Sequence, residues 1–172
     1  MGVGSDAYKV VLLLHILSAI VGFGAVTLNG LYGRESKRRP GPGGLAISEA
    51  NFFVSNVGEK FIYAVFVFGF ALVLMSDKVW TFEQTWVWLA IVLYIVGIAI
   101  SHAVVLPTAK RMKGLMSELV AMGPPPDNVP AGGPPPQALE LERLGKRIGA
   151  SSSLLHIDLV VILVLMIWKP GI

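Results

Sequence analysis

Four apolar runs limit what this chain can fold into. They cover residues 8–32, 57–75, 86–107 and 149–168. Each is close to the length of about 20 residues that an α-helix needs to cross the hydrocarbon core of a bilayer. Only 15% of the 172 residues are charged, whereas soluble domains carry about 25%. The runs therefore predict an all-α integral membrane four-helix bundle, with residues 1–172 as a single domain.

The basic residues predict how this bundle is oriented. Of the 14 Lys and Arg residues, only Lys9, Lys78 and Lys169 lie outside the region of the connections that follow the first and third runs. Because basic residues accumulate on the cytoplasmic side, we expect a multi-pass protein of the inner (cytoplasmic) membrane with both termini outside. Aromatic side chains that we expect at the outer interface are Tyr8, Trp80, Trp86, Trp88 and Trp168.

The long connection between the third and fourth runs has a pattern of its own. Residues 108–122 and 137–148 have helical spacing, and the Pro/Gly-rich linker at 123–136 separates them. We expect residues 108–148 to form a cytoplasmic helical hairpin. A short interfacial helix is expected at residues 45–56, before the second span.

The first run carries a stripe of polar and small residues. At helical spacing these residues fall on one face, which predicts close approach by a neighbouring helix. The stripe consists of His15, Ser18, Gly22, Ala25 and Asn29.

All three histidines lie inside the apolar runs. An ionisable side chain within a membrane helix is by default a candidate functional residue, and neutral imidazole binds haem iron, copper or zinc. We therefore expect His15, His102 and His156 to bind a haem b or a transition metal ion. Counted along the helices, His102 and His156 lie about 8 to 10 Å from the inner interface, so they form the candidate metal pair, whereas His15 lies in the other leaflet.

Other polar residues surround these histidines in sequence. Asp158, Ser101 and Ser152 are candidates to orient the ligands, and Asp158 is a candidate partner of His102. The alternative interpretation is that these groups form interhelical hydrogen bonds in a non-catalytic bundle. Such a bundle would transport a small solute or protons, or serve as a subunit of a larger membrane complex.

Several classes of function and partner lack support in the sequence. The chain has no Cys, no phosphate-binding Gly-rich loop and no His-Glu-x-x-His motif, so thiolate metal sites, nucleotide-driven activity and hydrolysis are not indicated. The basic clusters beside apolar runs favour membrane topology over nucleic-acid binding. The expected partners are the lipid bilayer and either a second copy or another membrane protein.

Residues 14–24, LHILSAIVGFG, and 30–34, GLYGR, carry a family resemblance. Here the chain resembles small bacterial membrane proteins of unknown function that are related to the copper-resistance D domain and to membrane-type protoporphyrinogen oxidase. The resemblance implies a four-helix bundle, and in the oxidase-like members it implies that the first-helix histidine, here His15, ligates haem b.

Overall fold

Helices account for nearly all of the described chain. The computed structural model describes residues 2–39, 41–123 and 133–171, and within these residues it contains no strand. The helical elements are α1 (Asp6–Arg38), α2 (Pro42–Met75), α3 (Thr85–Ile100), a π-helical turn (Ser101–Val105), α4 (Leu106–Met122) and α5 (Pro136–Trp168). Four helices, one of them the continuous rod Thr85–Met122, are long and apolar enough to cross a membrane. The predicted all-α membrane architecture is confirmed.

The helices are longer than the apolar runs that predicted them. They contain 33, 34, 38 and 33 residues, which corresponds to about 50 Å or more at 1.5 Å per residue. The hydrocarbon core is about 30 Å thick. Each helix therefore exceeds the thickness of the core by about 20 Å or more.

Residues 45–56, for which the sequence predicts a short interfacial helix leading into the second span, are helical. These residues form the first part of α2 and continue into the span without a break. No Pro or Gly lies between residues 45 and 56 to end the helix. The predicted linker at 123–136 begins where α4 ends, at Gly123 with φ 72°, and its residues 124–132 lie outside the described residues.

Close packing of α1 on α2 depends on glycine. A Cβ added to Gly22 would lie 2.9 Å from Ile62 Cγ1, and one added to Gly58 would lie 2.6 Å from Ala25 Cβ. Ser18 and Gly22 are both buried in this contact. The stripe that the first run predicted therefore faces a neighbouring helix, and that neighbour is α2.

The bundle consists of two helix groups. One is α1 with α2, and the other is α5 with α3 and α4, while α2 contacts α4 between them. The Phe66 and Tyr94 rings stack at 4.9 Å, and the Tyr94 hydroxyl donates to the Ile62 carbonyl at 3.2 Å. These contacts join the two groups near the middle of α2 and α3.

Aromatic side chains fill one end of the bundle, which we call the aromatic end. Trp86 belongs to a buried cluster there with Val87, Ala90 and Leu165. Trp80 Nε1 donates to the Tyr8 hydroxyl at 3.1 Å. The opposite end, which we call the basic end, holds the ion pairs of α4 with α2 and α5. Its location in the cytoplasm stays a prediction.

Candidate functional site

The imidazole of His15 is held between α1 and α2. Its Nδ1 lies 2.9 Å from the Val65 carbonyl oxygen. Because a carbonyl only accepts, Nδ1 carries the proton and Nε2 keeps its lone pair. A Cβ on Gly69 would lie 3.0 Å from His15 Cε1, so this glycine leaves room for the ring. The arrangement is typical of metal-binding histidines, in which a carbonyl orients the ring through one nitrogen and the other binds the metal.

His102 forms a cluster with two residues of α2. Its Nε2 lies 3.0 Å from Glu59 Oε1 and 2.9 Å from the Tyr63 hydroxyl oxygen. The Tyr63 hydroxyl also donates to Glu59 Oε1, at 2.5 Å. The side chains of His102 and Glu59 are 44% and 27% exposed, so the cluster is partly open to its surroundings. We call these three residues the Glu59–Tyr63–His102 cluster.

The contacts of this cluster leave a place for one proton besides those on the phenol and on Nδ1 of His102. His102 Nδ1 lies 3.0 Å from the Ile98 carbonyl oxygen and must donate to it. Nε2 then faces a carboxylate oxygen and a phenol whose proton goes to the same carboxylate. A proton between Nε2 and Oε1 satisfies both atoms, either as imidazolium with carboxylate or as imidazole with carboxylic acid. The cluster therefore has a place for one transferable proton.

The π-helical turn determines where His102 lies. Pro107 has no N–H, and its ring clashes with a carbonyl one turn earlier in a regular α-helix. The chain widens before it, and the Leu106 N–H bonds the Ser101 carbonyl five residues back. Such turns are frequent at functional sites.

Sequence reasoning missed Glu59 and Tyr63. One signal was present: the two residues are four apart on one helix and therefore adjacent on its surface. A second signal was the depth of the two residues in the membrane. The number of residues from Glu59 to Met75 on α2 equals the number from Trp86 to His102 on the next span. That interval places both residues about 24 Å from the aromatic end.

His156 is bonded within its own helix. Its Nδ1 lies 2.6 Å from the Ser152 carbonyl oxygen, which leaves Nε2 as an acceptor. The predicted orienting residues Ser152 and Ser101 thus contribute main-chain carbonyls, the latter to the π-helical turn. No hydroxyl contact to a histidine is formed by either serine within the described residues.

Asp158 packs against α3 beside a glycine. A Cβ on Gly97 would lie 2.9 Å from Asp158 Oδ2. Asp158 lines a cavity of about 270 Å³ together with apolar residues. The hydrogen-bond partners of His102 are Tyr63, Glu59 and the Ile98 carbonyl, so the structure does not form the expected pair of His102 with Asp158.

Among the residues that the structure describes, no hydrogen bond connects one histidine with another. Residues 2–39, 41–123 and 133–171 include no group of three or more His, Asp or Glu side chains placed to hold one metal ion. His102 has partners on both ring nitrogens, whereas His15 and His156 each use Nδ1 alone. A shared metal ion between His102 and His156 stays a prediction.

The helices and their intramembrane imidazoles define a four-helix integral membrane protein with polar sites inside its helices. The chain belongs to the family described as predicted integral membrane protein (DUF2269), whose model matches residues 9–170. No curated protein and no solved structure matches the chain. The relation to the copper-resistance D domain and to protoporphyrinogen oxidase stays a prediction from residues 14–34.

Proposed function

We propose that this membrane protein holds a haem b on His15 and serves in redox or metal handling. The observation that carries the proposal is the orientation of His15, whose Nδ1 bonds the Val65 carbonyl while Nε2 keeps its lone pair. The residue is seven positions from Tyr8, which places it about 10 Å along the helix from the aromatic end.

The donor set fits haem better than a bare metal ion. A haem iron needs one or two axial ligands from the protein, whereas structural zinc needs four ligands and catalytic zinc three. The described residues offer single imidazoles and no such group. His15 is the candidate ligand, because its Nε2 keeps its lone pair.

The residues of this chain would hold and shield the group. The Val65 carbonyl selects the tautomer of His15, and Gly69 leaves space for its ring. Leu12 and Ile16, on either side of His15 along α1, are exposed apolar side chains suited to a porphyrin face. A bound haem b supplies one-electron oxidation and reduction.

Visible spectra of the purified protein test this proposal. We expect a Soret band that shifts with dithionite, and we expect His15→Ala to lose it. His102→Ala is the matched control and should keep the band, because both ring nitrogens of His102 already have protein partners. Absence of a Soret band in the unsubstituted protein, with no metal by mass spectrometry, would contradict the proposal, as would equal loss in both variants.

A second candidate function is proton transport. It is favoured by the Glu59–Tyr63–His102 cluster, which has a place for one transferable proton within the membrane-spanning helices. Asp158 is ten residues from Trp168, about 15 Å along α5 and near mid-depth. Protonatable groups at several depths are typical of membrane proton pathways.

Proton flux into proteoliposomes distinguishes the two functions. With a potassium diffusion potential and a pH-sensitive dye inside, Glu59→Gln should abolish flux because the amide cannot take up the proton. His15→Ala should leave flux unchanged. Flux that is equal to that of empty liposomes, or that survives Glu59→Gln, would exclude this candidate.

A further inference from the structure

A cavity of about 340 Å³ lies between α4 and α5 at the basic end. Its walls come from both helices and from the π-helical turn. The lining residues are Ala103, Pro107, Thr108, Arg111, Leu144 and Arg147. Three of these side chains are apolar and two carry guanidinium groups, so the cavity has one apolar and one cationic part.

Two independent helices place this cavity at the edge of the hydrocarbon core. On one helix, Pro107 is separated from Trp86 at the aromatic end. On another helix, Arg147 is separated from Trp168 by the same number of residues. Each separation corresponds to about 31 Å of helix rise, which matches the thickness of the core. The apolar part therefore meets the acyl chains, and the guanidinium groups lie at the level of the headgroups.

The two arginines leave donors for an anion. Arg111 bonds Glu140 through Nε at 3.1 Å and Nη2 at 3.3 Å. Because a guanidinium has five N–H groups, Arg111 retains three after this pairing. Arg147 forms no ion pair with the described residues, so its positive charge in the cavity is uncompensated. Even with Glu140 counted, these three side chains sum to a net positive charge.

We propose that this cavity binds the phosphate of an anionic phospholipid. Arg147 and the remaining donors of Arg111 bind the phosphate oxygens, and the acyl chain lies along Ala103, Pro107 and Leu144. Basic cavities between membrane helices are known to take such headgroups. A lipid is favoured over free phosphate because the apolar part of the cavity offers nothing to a small anion. This site is separate from the haem and proton sites proposed above.

Lipid binding to the full-length protein in detergent tests the proposal. Phosphatidylglycerol is titrated and bound lipid is counted by native mass spectrometry, with phosphatidylcholine and inorganic phosphate as separate arms. We expect one phosphatidylglycerol to bind more tightly than phosphatidylcholine and to resist competition by millimolar phosphate. Arg147→Gln should weaken its binding about fivefold, as expected for one cationic contact at a membrane surface.

Arg38→Gln is the matched control. Arg38 also lies at the basic end, with its side chain 81% exposed and outside the cavity, so this variant should bind the lipid as the parent protein does. An equal loss in Arg38→Gln would mean general electrostatic attraction and would overturn the site. Equal binding of phosphatidylcholine, full displacement by phosphate, or unchanged binding in Arg147→Gln would overturn it too. Arg147→Lys retains the charge and supplies the test if the Gln variant fails to fold.

Discussion

The candidate functional side chains of this protein are defined by their hydrogen-bond partners, which residue type alone does not reveal. Glu59 Oε1 lies 3.0 Å from His102 Nε2, and the Tyr63 hydroxyl contacts both side chains. The sequence pointed to His102 because a histidine in an apolar run is unusual. It did not point to Glu59, because a carboxylate near the end of a run looks like an ordinary interfacial residue.

A double-mutant cycle should detect the coupling between Glu59 and His102. We expect Glu59→Gln and His102→Ala to interact by about 1 kcal/mol in the free energy of unfolding, the usual size for hydrogen bonds between membrane helices. Unfolding in mixed micelles of increasing SDS, followed by circular dichroism, gives this energy. Glu59→Gln combined with His156→Ala is the control cycle and should be additive, because His156 is bonded within its own helix. Additivity in both cycles would show that the Glu59–His102 contact does not contribute to the free energy of unfolding.

At the scale of elements, glycine decides how closely helices approach. The stripe on the first run was predicted from spacing alone, and the structure places it against α2 at Gly58. The position of His102 was less predictable. The π-helical turn contains one more residue than an α-helical turn, so a prediction from regular α-helical spacing misplaces the residues around it. Pro107 was the only local sign that the helix would depart from α-helical geometry there.

Gly58→Ala should destabilise the contact between α1 and α2. The new Cβ would lie 2.6 Å from that of Ala25, and overpacking of this kind costs about 1 to 3 kcal/mol. Gly30→Ala is the matched control, because nothing lies within 4 Å of a Cβ at that position of α1. That variant should be neutral or slightly more stable, since Ala has the higher helix propensity. SDS unfolding measures both, and equal stability of the two variants would argue against close packing at Gly58.

For the whole molecule, the sequence was sufficient to predict four membrane helices, because length and hydropathy set that outcome with little help from packing. The extent of each helix was less accessible. The sequence predicts amphipathic helical segments at residues 45–56 and 137–148, and in the structure both are continuous with the adjoining spans. No proline interrupts either segment, and helix formation propagates cooperatively from the adjoining span.

Single cysteines can test the predicted orientation, since the chain has none of its own. Gly4→Cys lies at the aromatic end and Glu118→Cys at the basic end, and both positions are exposed. If the basic end is cytoplasmic, a membrane-impermeant maleimide should label Gly4→Cys in intact cells and Glu118→Cys only after lysis. Labelling in the opposite order would reverse the orientation, and labelling of both in intact cells would rule out the predicted topology.

Because the helices are longer than the hydrocarbon core is thick, the protein can respond to a change in bilayer thickness. All four tryptophans belong to the aromatic end or its neighbourhood, so that end is anchored at one interface. In a thinner or thicker bilayer, the interface opposite the aromatic end would then lie at a different position along the helices, on one or the other side of Glu59 and His102. Lipid length would therefore determine whether water or hydrocarbon surrounds that pair.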